Sequence, residues 1–211
     1  MTVPPPSTRR VGTETSKTRG ALLDSTEQLM LEEGYAGVTY RRVAAKAGVT
    51  AGLVQYYFPT LDDLFIALLE RRSHSNLDKF ARVLEANDGR PLRAIWEYSR
   101  DETTAALMVE FMALGNHRKA IRAEIAAVGE RSHKAQLEAI EKMAGRFKVD
   151  GMVVPPSAVL FLLQSIPKIM LMEGELGRTS GHKETLALVD DFLARIEPQT
   201  RKPLARRRTS A

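Results

Sequence analysis

The chain of 211 residues contains no cysteine. That absence excludes disulfides, thiolate metal sites and a cysteine nucleophile together, and it fits a reducing, cytoplasmic compartment. No apolar run reaches transmembrane length, because the longest, Ala158–Met172, is interrupted by Gln164, Ser165, Pro167 and Lys168, so no membrane partner is expected. The N-terminus, MTVPPPSTRR, has no apolar segment of the kind a secretory signal needs. The four histidines, His74, His117, His133 and His182, sit on separate stretches without His-x-x-x-His or Glu-x-x-His spacing. No Gly-rich phosphate loop follows a strand, and no G-x-S-x-G elbow exists. Catalytic residues, a metal and a cofactor are therefore all expected to be absent, and the chain is not expected to be an enzyme. Strand-like alternation bounded by hairpin turns is missing as well, which predicts an all-α chain.

What remains is ordinary for a soluble globular protein, with 44% hydrophobic and 27% charged residues. The formal net charge of +5 is unevenly spread: residues 1–20 carry +3, residues 198–211 carry +5, and the body between them carries −3. The alkaline pI thus comes from the tails, whose attraction for phosphates would be independent of sequence and steeply salt-dependent. Residues 1–16 and 198–211, rich in Pro, Ser, Thr and Arg without apolar period, read as a disordered arm and a basic disordered tail.

The informative stretch runs from Val38 to Leu64. A short helix is predicted over Tyr40–Ala47, begun by the good N-cap Thr39 and ended by Gly48. Its Val43, Ala44 and Ala47 share one face, while Arg41, Arg42 and Lys46 point elsewhere. Thr50 then caps a second helix reaching about Tyr57. Two short helices around a compact glycine turn form a helix-turn-helix, whose second helix presents its first residues to base edges in the major groove. An earlier helix, Lys17–Glu33, offers Leu22, Leu23, Thr26, Leu29 and Met30 as the face on which the pair packs.

The order G-V-T-x-G-x-V-x-Y-Y-F-P-T-x-D-D-L, Gly48 to Leu64, resembles the DNA-binding domain of TetR (tetracycline-repressor) family regulators, and the preceding helix from Thr18 is similar to that domain's first helix. The resemblance covers roughly residues 17–69 and implies contacts residue by residue. Thr39 matches a residue that caps the second helix and touches phosphate. Arg41 matches a base-reading arginine of some relatives, although it or Arg42 could equally meet phosphate or solvent. Thr50, Ala51 and Gly52 allow close backbone approach. Leu53 and Gln55 are the best side-chain readers, through a thymine methyl and adenine respectively. Tyr56 and Tyr57 favour phosphate, or one ring packs into the head. The chain departs from the pattern at Gln55 (often Tyr), Tyr57 (often His) and Leu61 (often a phosphate-reaching Lys).

Helical periods follow at Leu61–Glu85, Leu92–Asp101, Thr103–Gly115, Arg118–Arg146, Pro156–Leu176 and Lys183–Ile196. The organisation expected is a helix-turn-helix DNA-binding domain over 17–60, joined by a long helix to a helical effector-binding and dimerisation domain over 61–197. Six of the eight methionines lie beyond Ala105 and supply soft apolar surface. The resemblance implies a small-molecule pocket among these helices, with Trp96, Met108, Phe111, Met112, His117, Phe161 and Gln164 as its candidates; Glu110 and Asn116 are further polar groups near it. The last two helices are apolar over much of their circumference, which reads either as a buried core pair or as a two-fold interface. For that interface Leu160, Leu163, Pro167, Met170, Leu188 and Phe192 are the candidates. Pro167, inside a helical pattern, is expected to kink it. The function expected is a dimeric DNA-binding transcriptional repressor released from a palindromic operator in double-stranded DNA by a small, mostly apolar effector. The alternative is a DNA-binding architectural or adaptor protein with a filled core and a protein partner.

Overall fold

Local signals set the first helices. The computed structural model describes residues 17–87, 89–142, 148–149 and 152–197; the expected arm 1–16 and tail 198–211 lie outside the described residues. Helix α1, Lys17–Glu33, buries Leu22, Leu23, Ser25, Thr26, Leu29 and Met30 on one face. It ends at Gly34, whose φ of 75° is in the region that favours glycine, and a short turn, Tyr35–Gly37, follows. Thr39 caps α2, Tyr40–Ala47, its hydroxyl accepting from the Arg42 N–H at 3.3 Å. At the other end Gly48 takes φ 67°, and the Val49 N–H reaches back to the Ala44 carbonyl at 2.9 Å. This six-to-one closure fixes the turn between the two helices of the motif. Thr50 stands at the N-cap of α3, Ala51–Tyr57, as expected, and its side chain makes no capping hydrogen bond.

Thr60 and Asp63 form a full capping box at the start of α4, Leu61–Ala86. Helices α5 (Pro91–Ser99), α6 (Glu102–His117), α7 (Lys119–Glu141), α8 (Pro156–Glu175) and α9 (His182–Ile196) complete the bundle. The interruption expected over residues 148–155 contains a two-residue antiparallel ladder, Lys148–Val149 against Met152–Val153. Apart from it, the described residues are all-α.

Two apolar clusters hold the elements. The first joins α1–α3 and the first half of α4 (Leu64, Phe65, Leu68, Leu69) to Leu107, Phe111 and Leu114 of α6 and Ile121 and Val128 of α7. The head is thus packed into the body across residue 60. The second gathers Phe80, Leu92, Ile95, Trp96, Ile140, Leu160, Leu163, Leu193 and Ile196. Burying one such side chain contributes roughly 1.5–3 kcal/mol. Glu197 closes the second cluster: its carboxylate accepts from the Leu92 and Arg93 N–H groups at 2.8 Å each. It therefore satisfies the open amides of α5 from about a hundred residues away in the chain.

Helix α8 corrects two expectations. It is long and apolar enough to cross a membrane by length and composition, because the helix runs on past the interrupted stretch and through Pro167. Its inward face is Val159, Leu160, Leu163 and Pro167, so Leu160, Leu163 and Pro167 are core residues and not the interface they were expected to form. The face left outside is Phe161, Leu162, Ile169 and Met172, continued by Leu176 and by Leu188 of α9. Phe192 packs against the second cluster, and Met170 is half-buried in an open groove with Arg100, Leu171 and Leu186. Of the expected interface residues, only Leu188 is fully exposed.

Candidate nucleic-acid interface and effector cavity

The outer surface of α2–α3 is polar and small where its inner surface is apolar. Val43, Ala44 and Val54 are buried, while Thr39, Arg41, Arg42, Thr50, Gly52, Gln55 and Tyr56 are exposed; Ala51, Leu53 and Tyr57 are half-buried. Tyr57 packs against the first cluster, and Tyr56 meets it edge-on at 5.5 Å between ring centroids, remaining 50% exposed. Of the pair, then, it is Tyr57 that packs into the head. The Tyr40 hydroxyl donates to the Phe58 carbonyl at 3.0 Å and ties the start of α2 to the end of α3. The three cations of α2 differ in their partners. Arg42 is ion-paired with Glu33, Lys46 with Glu32 at 2.7 Å, and Arg41 has no ion-pair partner among the described residues. Leu61 is half-buried against the first cluster, which is why an apolar side chain is at home there.

A cavity of ≈ 220 Å³ opens among α4, α5, α6, α7 and α8. Of the expected pocket residues, Met108, Met112 and Gln164 line it. The other four do not. Trp96 is fully buried in the second cluster and Phe111 in the first, because a large apolar side chain serves a core as readily as a pocket. Phe161 is 66% exposed at the outer surface of α8 and does not line the cavity. His117 ends α6 and lies exposed with its ring 6.4 Å from Tyr35. Met143 and Phe147 lie outside the described residues. The lining that sequence reasoning missed includes the polar Asn76, Tyr98, Ser99, Thr104, Ser132, Gln136 and Lys168 and the apolar Ala105, Ile125 and Val128. The signal for part of it was the pair Gln164 and Lys168, four residues apart on an otherwise apolar helix. Gln164 donates to Gln136, which is buried. Burial pushes the Tyr98 phenol up to about 12, and it likewise pushes the Lys168 ammonium down from the ordinary lysine range.

Helix α6 joins the two sites. Met108 and Met112 face the cavity, while Glu110 between them points the other way and accepts from the Tyr35 N–H at 2.7 Å. A Cβ on Gly34 would stand 3.1 Å from the same carboxylate. Where α6 meets α7, Arg118 pairs with Asp62 in the first turn of α4 and lies 5.8 Å over the Phe65 ring. Among the described residues no group of three or more His, Asp or Glu is placed to hold a metal ion.

The described residues thus form a helix-turn-helix head packed by α4 and α6 onto a helical body with a cavity. The sequence model for bacterial regulatory proteins, tetR family, matches residues 22–68, so the helix-turn-helix head is similar to that family's over those residues. Over 80 residues it is 32% identical to the HTH-type transcriptional regulator TtgR of Pseudomonas putida, and over 63 residues 36% identical to the HTH-type transcriptional repressor BepR of Brucella suis. The aligned stretches span 38% and 30% of this chain and the same shares of those relatives. Over 84% of its length the chain also superposes on 99% of the multidrug binding protein EbrR complexed with proflavin, with a TM-score of 0.54 at 26% identity.

Proposed function

We propose that the protein is a homodimeric transcriptional repressor that binds a palindromic operator in double-stranded DNA through α2–α3, works in the cytoplasm, and is released by a small effector in the cavity. The observation that carries this reading is the exposed run of Thr39, Arg41, Thr50, Gly52, Gln55 and Tyr56 on a head whose other side is fully packed. Small residues at the start of α3 permit close approach to the duplex, and Gln55 has the donor–acceptor pair that matches adenine. The names of TtgR and BepR support the regulatory role, and the proflavin complex of EbrR supports a small ligand.

Two copies are needed to read a palindrome. The exposed face of Phe161, Leu162, Ile169, Met172, Leu176 and Leu188 is the surface a second copy would cover. Release then follows from α6: an effector pressing on Met108 and Met112 displaces Glu110, the carboxylate that holds Tyr35 and with it the end of α1. Such an effector must prefer the non-binding arrangement, since equal affinity for both would shift nothing. The same apolar face also fits the adaptor reading, in which a different protein covers it; the cavity weighs against that reading.

Selection of genomic fragments by the full chain, followed by footprinting and sizing of the free protein, tests the proposal. The expected result is a dimer protecting two inverted half-sites about one helical turn apart. Leu188→Glu should give a monomer that no longer shifts the selected fragment. A monomeric wild-type chain that shifts no fragment at low salt would overturn the proposal.

A further inference from the structure

The cavity has a sign. Lys168 is the one charged residue lining it among the described residues, and no Asp or Glu does. Among the described residues the ammonium has neither a hydrogen-bond nor an ion-pair partner. The groups around it from the neighbouring helices are neutral: the Tyr98 phenol of α5, the Ser132 hydroxyl of α7 and the amides of Gln136 and Gln164 can donate, while the Thr104 hydroxyl of α6 already donates to the Asp101 carboxylate at 2.5 Å. A second cation stands behind this wall. Arg72 lines a separate ≈ 10 Å³ pocket that shares Asn76, Thr104, Met108 and Val128 with the cavity; its Nε is buried without a hydrogen-bond partner, and its guanidinium pairs with Glu27 at 3.5 Å. The remaining wall is apolar, formed by Met108, Met112, Ile125 and Val128.

Resting on the reading of this cavity as the effector site, we propose that it takes a small amphipathic organic acid, its carboxylate meeting the Lys168 ammonium and its apolar body lying along Met108, Met112, Ile125 and Val128. A half-buried ammonium without a counter-charge is partly desolvated, and an anion offsets that cost while an organic cation adds to it. The depressed Lys168 pKa is the same cost expressed as proton affinity. Size points the same way: ≈ 220 Å³ falls below the roughly 300–1,000 Å³ of drug-sized sites. A medium-chain or fused-ring monoacid fits, and a bulky polycyclic cation does not.

Calorimetric titration of the full chain with octanoate, octanol and octylammonium, and with naphthoate and naphthol, tests this. Each acid should bind about ten- to a hundredfold more tightly than its matched alcohol, and octylammonium should not bind. Lys168→Met and Lys168→Gln should bring acid and alcohol to parity, and Lys168→Arg should keep the preference. Circular dichroism of each variant establishes that it is folded. Alcohols or octylammonium binding as tightly as the acids, or an acid preference that survives both charge-removing variants, would overturn the proposed chemistry and leave the cavity standing as an effector site. Failure of every probe to bind would overturn both.

Discussion

Arg41, Arg42 and Lys46 share one short helix, and their partners distinguish them. Glu33 and Glu32 hold Arg42 and Lys46 along the flank of α1, leaving Arg41 as the cation of this set free to meet a phosphate or a guanine. Each phosphate neutralised steepens the fall of log affinity with log salt by about 0.9. Arg41→Ala in a dimer should therefore lower that slope by about 2 if the contact is to phosphate. A contact to guanine would instead cost about 1–3 kcal/mol per half-site and relax the preference at one base pair. Anisotropy titrations across a salt series separate the two outcomes, and unchanged slope and specificity would remove Arg41 from the interface. Residues whose roles are local were legible in the sequence. Thr39 caps α2 and Gly48 adopts the left-handed turn because both roles depend only on their immediate neighbours. Lys168 was noticed only as a break in an apolar run, since the absence of a counter-charge is decided by five helices at once.

Helix boundaries were readable to within a few residues for the same local reasons, but helix faces were not always. On α1 the inward stripe of Leu22, Thr26 and Leu29 is separated cleanly from polar positions. On α8 apolar residues cover most of the circumference, so periodicity does not say which side enters the core, and Leu160 was placed outside while Phe161 was placed in a pocket. Helix α6 shows how a cap connects elements. Asp101 accepts from the Thr104 N–H at 3.0 Å at its start and pairs with Lys79 of α4 at 2.6 Å. Burial alone would raise the Asp101 carboxyl, but the hydrogen bonds from Lys79 and Thr104 and the Lys79 charge outweigh it and leave it below the usual carboxylate range. A depressed folded-state pKa means stability that is present above the unfolded value and lost as pH falls through the folded one. Asp101→Asn, which can still cap, should thus cost under about 1 kcal/mol at neutral pH, given the part-exposed pair. Its urea-unfolding curve should converge with the wild type's in acid. A deficit that persists undiminished at low pH would mean that the pair is not its source.

At the scale of the molecule, head and body are mechanically one piece. The first cluster runs from α1 through α4 into α6 and α7, and the Glu110 and Arg118 contacts fasten the head at two separated points. The all-α architecture and the head were legible because the motif's caps, turn and apolar positions occur together within one short stretch. The junction was not, because the Glu110 contact to Tyr35 spans 75 residues and leaves no periodic trace. The central claim is that the cavity and the DNA-facing helices are coupled through α6. The most direct measurement is operator affinity with and without a saturating cavity ligand, made on the wild type and on Glu110→Ala. The account predicts a loss of about 5- to 150-fold on adding ligand, strongly reduced in Glu110→Ala although the ligand still binds. A ligand that fills the cavity and leaves operator affinity unchanged in the wild-type chain would contradict it.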